Sequence, residues 1–435
     1  DGIYSSQYLG ISGGTIGTAK GGAGIGGGNG IHSDDHLYIF GTAEGTAKIE
    51  TAQGGSGQTA GGAGIYSKGD LSIEDGTIGS WKTDGKTPDT DTGALGGPAT
   101  AGAKGGDGIH SDGEINITGG KIVNAKGGDG TVLGDSKGRN GIYSAKKLTI
   151  GTATIGNAQG GIGKTTGGNG IHSDSDLDIS GKAFIQNAKG GDSWVRGGDG
   201  IHSTGILTIK DDATIQKAQG GTSKSGGHGI YSKNNLAISQ SAKINNATGG
   251  DSTNDTGNGG DGIHSDGEFA ISESTSGTKR SNTIGTAKGG NGKSGGSGIF
   301  GKTMKIAVGI INQAIGGSST GTDENDTGGS GISASEDLTI SGWIQNATGG
   351  SAKDGKAGDG IHSGKSFITS GGRIASATGG NGGAGIGGRK NQNGNVEITG
   401  GTIDNATGSG GGAGIGGGSG GSATVKIEGG TTSIK

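Results

Sequence analysis

The side chains of this chain that could do chemistry recur at fixed places. Six of the eight histidines and four of the six tyrosines stand third in a repeated Gly-Ile-His-Ser or Gly-Ile-Tyr-Ser. The positions are Tyr4, His32, Tyr66, His110, Tyr143, His172, His202, Tyr231, His264 and His362, with Phe300 in the equivalent place of a Gly-Ile-Phe-Gly. A row of flat rings can stack on sugar rings, pack against another copy of the chain, or stack on itself. Histidine titrates near pH 6.5, so assemblies packed laterally through such rings are expected to loosen as pH falls. A second constellation is Asp211-Asp212 followed by Gly227-His228-Gly229. Two suitably separated carboxylates are what inverting glycoside hydrolysis requires.

Both hydrolysis and metal binding meet objections within the sequence. Asp211-Asp212 and the His228 tripeptide resemble two motifs of the polygalacturonases, but the Asn-Thr-Asp and Arg-Ile-Lys motifs of that family are missing. Asp211-Asp212 replaces a Gly-Gly, and His228 stands where other repeats carry Asp107, Asn140, Asn169 or Asp199. The string Gly-Gly-Asp-Gly-Ile-His-Ser-Asp is superficially similar to a calcium nonapeptide, yet His110 or His264 occupies the ligand position and the period is about three times too long. Asp323, Glu324 and Asp326 read as a solvated acidic loop ahead of a weak calcium site. No catalytic residue, no metal and no cofactor is expected, and the chain reads as non-enzymatic.

The elements that must position these rings follow from the period. The Ile of the pair falls at Ile3, Ile31, Ile65, Ile109, Ile142, Ile171, Ile201, Ile230, Ile263, Ile299, Ile332, Ile361, Ile386 and Ile415, mostly 25 to 36 residues apart. Such a period marks stacked supersecondary units. Residues 108–130 show one unit: Ile109 to Ser111, then Ile115 and Ile117 in alternation, then Ile122 to Asn124-Ala125 before Gly127-Gly128. Alternation of apolar and polar residues predicts half-buried strands, and glycine pairs at the joints suggest unusual backbone angles. One turn buries about four apolar side chains and cannot offset the entropy of ordering roughly 25 residues. Stacked copies can. The expected fold is all-β, a three-faced parallel β-helix of about fourteen turns forming a single domain over residues 1–435, with loop insertions at 82–104, 251–261 and 316–330 on one corner.

A second row precedes the Ala of strand three: Asn124, Asn157, Asn187, Asn246, Asn346 and Asn405. Stacked amides can bond one another along the axis, so this row is expected to be a structural ladder. Of the Asn-X-Ser/Thr matches, Asn254 and Asn325 fall in loops and are the candidate glycosylation acceptors.

Composition narrows the classes further. There are 114 glycines in 435 residues without an every-third period, two prolines, and no cysteine, so a collagen helix, disulfides and thiolate metal sites are all excluded. A formal net charge of −4 gives no footprint for nucleic acid. No stretch reaches the roughly 18 to 20 apolar residues of a membrane span, and no membrane insertion is expected. The chain starts at Asp1 without an initiator Met, which suits either a processed mature protein, and then secretion, or a trimmed chain.

Gly-Gly-Ala-Gly-Ile-Gly-Gly-Gly at 21–28 and 411–418, with Val-Glu-Ile-Thr-Gly-Gly-Thr-Ile at 396–403, resembles the glycine-rich β-helical repeats of prokaryotic cell-surface proteins of anaerobic bacteria and methanogenic archaea. That resemblance implies an adhesin, a carbohydrate-binding surface protein or an envelope component at an extracellular location. Asp1-Gly2-Ile3-Tyr4 opens on the repeat consensus and Thr424 to Ile434 stops within a turn. The expectation is therefore a self-assembling structural protein that forms a fibre, hoop or sheath with copies of itself. A carbohydrate-binding adhesin using the ring row, with surface glycans as partners, is the alternative.

Overall fold

The computed structural model describes residues 1–43, 45–101, 104–130, 136–254, 256–272, 283–323, 325–353, 356–391, 394–428 and 432–434. The protein is all-β, a parallel β-solenoid of about 13 turns. Among the described residues no helix is long and apolar enough to cross a membrane. Two compact units are distinguished, residues 1–208 with 212–222, and residues 209–211 with 223–435.

In the first unit the turn beginning at Ile109 has strands Ile109–Ser111, Ile115–Ile117 and Lys121–Lys126. Each pairs in parallel with its copy one turn on, like residue opposite like: Ile109 with Ile142, Ile115 with Leu148, Ile122 with Ile155, Asn124 with Asn157 and Ala125 with Ala158. The Ile, Leu and Ala of these strands have essentially no exposure. Register is set by this pattern, because a one-residue slip would expose every apolar side chain.

The second unit repeats the plan with larger substitutions. Its second-strand row runs Leu236, Phe269, Met304, Leu338, Phe367 and Val396, all buried. Neighbours in that row exchange volume, as a close-packed interior requires.

The serine of the repeat is turned inward and buried, as in Ser111, Ser144 and Ser173. Ser144 Oγ lies 3.0 Å from the Gly113 carbonyl and 3.1 Å from that of Lys147, so it ties the corner of one turn to the turn below. A buried hydroxyl needs such a partner.

Glycine pairs between the second and third strands do supply a positive φ, as at Gly120 (74°) and Gly401 (91°), but those at the loop corner do something else. None of Gly161, Gly168, Gly191 and Gly198 has a positive φ. These residues form the neck through which each corner loop leaves and returns, and the outgoing and returning limbs of successive turns interleave. Gly168 N–H donates to Gly161 O at 2.9 Å, Gly191 to Gly168 at 2.7 Å, Gly198 to Gly191 at 2.9 Å and Gly221 to Gly198 at 2.8 Å. A Cβ on Gly191 would lie 2.0 Å from Gly161 O, and one on Gly198 would lie 1.9 Å from Gly168 O. The second unit has its own run, from Gly260 through Gly290, Gly296, Gly317 and Gly329 to Gly350. Close backbone approach is what selects glycine here.

The insertion expected at 82–104 is two separate features. Strand three of its turn is split into Thr77–Ile78 and Gly93–Leu95, with Ile78 opposite Ile49 and Ile122, and Ala94 opposite Ala52 and Ala125. Residues 79–92 therefore bulge from the middle of the strand-three face and not from the loop corner. The bulge is pinned by a bridge between Trp81 and Pro88, and Thr90 O and Thr92 O accept from Asn124 Nδ2. Only the part after Leu95 belongs to the corner. The segments 251–261 and 316–330 do leave from it, through the necks at Gly250–Gly260 and Gly317–Gly329.

Candidate functional site

Strand alternation puts the ring residue on the opposite face from Ile and Ser, and register sets rings directly above one another. In the first unit Tyr4, His32, Tyr66, His110, Tyr143, His172 and His202 form an unbroken column with centroid separations of 5.2, 4.8, 5.2, 4.7, 5.4 and 4.5 Å. In the second unit Tyr231 and His264 lie 5.4 Å apart, and His264 and Phe300 4.6 Å. His362 follows Ser333 in register, and Gly387 and Gly416 take the place of a ring beyond it. The six histidine side chains are only 13 to 17% exposed, whereas Tyr4 is 55% exposed. The row does face away from the core. It is nevertheless half-buried, and most of its faces are covered by other rings.

Aspartates take up the polar edges. His110 is bonded through Nδ1 to Asp107 at 2.7 Å and through Nε2 to Asp112 at 2.9 Å, and Tyr66 OH donates to Asp112 at 2.6 Å. Tyr143 OH donates to Asp174 at 2.5 Å, the carboxylate that also meets His172 Nε2 at 2.7 Å. In the second unit Tyr231 and His264 share Asp266, and His264 Nδ1 meets Asp261. Each Tyr thus reaches across one turn to the carboxylate held by the next His.

For His110, His264 and His172 the residue three before the ring sets its charge. With Asp107 and Asp261 in that place, both ring nitrogens of His110 and His264 face carboxylates and both must donate, which is the imidazolium form. Burial opposes that charge, but the two carboxylates outweigh it and raise the pKa of each. With Asn169 in the same place, His172 Nδ1 faces an amide nitrogen at 2.5 Å and must accept, so the ring is neutral. Burial, helped by the neighbouring His202, holds its pKa down against Asp174. Asp107 is itself fully buried, a cost outweighed by Arg139 and His110, and its pKa is lowered.

That same position forms a ladder of its own. Asn140 N–H donates to Asp107 Oδ1 at 2.7 Å, Asn169 N–H to Asn140 Oδ1 at 2.8 Å, and Asp199 N–H to Asn169 Oδ1 at 2.7 Å. The sequence shows Asp or Asn before Gly-Ile in these turns; the backbone partner one turn away is not a local signal.

The strand-three row separates into two kinds of site. Asn157 Nδ2 donates to Asn124 Oδ1 at 2.8 Å and Asn187 Nδ2 to Asn157 Oδ1 at 2.7 Å, a true amide ladder. Asn246 and Asn346 stand opposite Thr286, Gln313 or Ser376, and Asn405 accepts from Thr407, so those three form no amide stack with one another. A continuous run of Asn is needed, and only the first unit has one.

The constellations that suggested catalysis or metal binding are absorbed into the frame. Asp211 has a φ of 61°, like Gly181 at 63°, a left-handed turn conformation that Asp tolerates better than most residues. His228 Nδ1 accepts the Asp261 N–H at 3.0 Å and the ring stacks on Tyr231 and His264. His228, Asp261 and His264 have the composition of a metal site among the described residues, but the facing atoms of His228 and His264 are engaged with Asp261. In the acidic loop Lys293 lies 3.2 Å from Asp323 and 3.6 Å from Asp326; Glu324 is outside the described residues. Asn254 and Asn325 are exposed, and Asn254 Oδ1 accepts from Thr256.

No family model, curated protein or solved structure matches this chain.

Proposed function

We propose that this protein is a non-enzymatic structural component of a prokaryotic cell envelope or extracellular matrix, assembling with copies of itself into a fibre, hoop or tubular sheath. The observation that carries the reading is the closed bonding of the ring column. Its rings cover one another and their edges are bonded to Asp and Asn within the chain. Groups positioned for catalysis or capture leave a reactive or unpaired atom facing solvent, and this column spends its atoms on rigidity. Strands of successive turns pair through their edges, and the same pairing between copies would give end-to-end assembly.

Negative-stain electron microscopy over a concentration series tests the proposal. Fibres, hoops or sheets are expected, and only discrete 435-residue monomers at the highest concentration would overturn it. Ring faces closed to sugars also set this reading apart from an adhesin that uses the column. Tyr143→Ala and His172→Ala are expected to lower stability without any loss of binding on an array of neutral glycans. A neutral glycan bound by the parent and lost in both variants would favour the adhesin.

A further inference from the structure

We infer that the first unit carries a groove for a strand of anionic polysaccharide, one bearing carboxylates or sulfates, beside the ring column. The groove has a volume of about 340 Å³, within the range of ligand sites. Edges of Tyr143, His172 and His202 form its floor, and returning limbs of the corner loops form a basic wall.

The wall is in strand register: Lys104 stands opposite Lys137, Lys137 opposite Thr166, and Thr166 opposite Arg196. At about 4.8 Å per step, the three cations span roughly 14 Å along the axis. Arg139, two residues beyond Lys137, is already bonded to Asp107 at 2.7 Å and lies over the Tyr143 ring. Lys104, Lys137 and Arg196 are exposed, and none forms an ion pair among the described residues. Like charges directly opposite on neighbouring strands destabilise a sheet, so the row Lys104–Lys137 has a cost that a bound polyanion would remove.

The rest of the groove selects the kind of polyanion. Covered ring faces give nucleic-acid bases nothing to stack on. Trp194, 65% exposed and two residues before Arg196, lies outside the lining, with Lys164 Nζ 6.0 Å from its ring centroid.

This inference does not rest on self-assembly, and its test is read separately. Calorimetric titration of the full chain would use a galacturonic acid hexamer and a sulfated heparin-type hexamer. A neutral galactose hexamer, a single-stranded oligonucleotide and polyphosphate run in parallel. Saturable binding of at least one acidic hexamer is expected. It should weaken about tenfold in Lys137→Gln/Arg196→Gln and on raising salt from about 50 to about 500 mM, with Lys121→Gln unchanged. Unaltered circular dichroism of the double variant shows that it is folded, as exposure of both side chains leads one to expect. No binding of either acidic sugar, equal binding by the double variant, or tighter binding of the oligonucleotide or polyphosphate overturns the assignment.

Discussion

His110 and His172 occupy the same place in two turns of one column, yet protonation should act on them in opposite senses. The pKa of His110 is raised in the folded chain, so its contribution is fully present below the unfolded value of about 6.5 and is lost as pH rises through the folded value. For His172 the folded value is lowered, so its contribution is present above about 6.5 and is lost as pH falls. Melting temperatures of the parent, His110→Gln and His172→Gln at about pH 8 and about pH 5.5 would show this. The gap between parent and His110→Gln should widen on acidification, and that for His172→Gln should narrow; parallel behaviour would refute the assignment of charge. Asn157→Ala leaves Asn124 and Asn187 each short of an amide partner and is expected to cost about 2 kcal/mol in urea unfolding. Of all this the sequence shows only the residue types. Tyr66 and Asp112 are 46 positions apart, and nothing local says that they meet.

The elements were legible where the pattern is short and strictly repeated. Alternation at Ile115 and Ile117 and at Leu148 and Ile150 was enough for strands, and same-residue register followed from stacking. The split third strand was not legible, because Thr77-Ile78 and Gly93-Ala94 look like the end of one segment and the start of another. The necks were visible as glycine pairs, but the reason for them is contact with the turn below and not their own backbone angles. This distinction can be tested. Gly198→Ala, whose Cβ would lie 1.9 Å from Gly168 O, is expected to cost about 2 to 3 kcal/mol. Gly371→Ala, in an interior turn and with nothing within 4 Å of its Cβ, should stay within about 0.5 kcal/mol. Chemical denaturation of the two variants separates close approach from a general intolerance of alanine.

At the scale of the molecule the carboxylates act together. Asp107 and Asp112 in the first unit and Asp261 and Asp266 in the second resist a burial cost through His, Tyr and Arg partners, and all four have lowered pKa values. Lowered folded values mean that their stabilisation is present above the unfolded carboxylate value of about 3.9 and is lost as pH falls through the folded values. Urea midpoints should therefore drop below about pH 4, and a flat profile down to about pH 2 would contradict the bonding described for the column.

Same-residue register has one more consequence, which concerns length. Because Ile171 stands opposite Ile201 and His172 opposite His202, the cross-section at 171 is interchangeable with that at 201. Removing residues 171–200 should give a shorter chain that still folds, with an unchanged circular dichroism shape, whereas removing 171–185 should abolish folding. Length in such a fold is counted in whole turns: duplication or loss of one coding segment adds or removes a turn and leaves the cross-section of the adjoining turns unchanged.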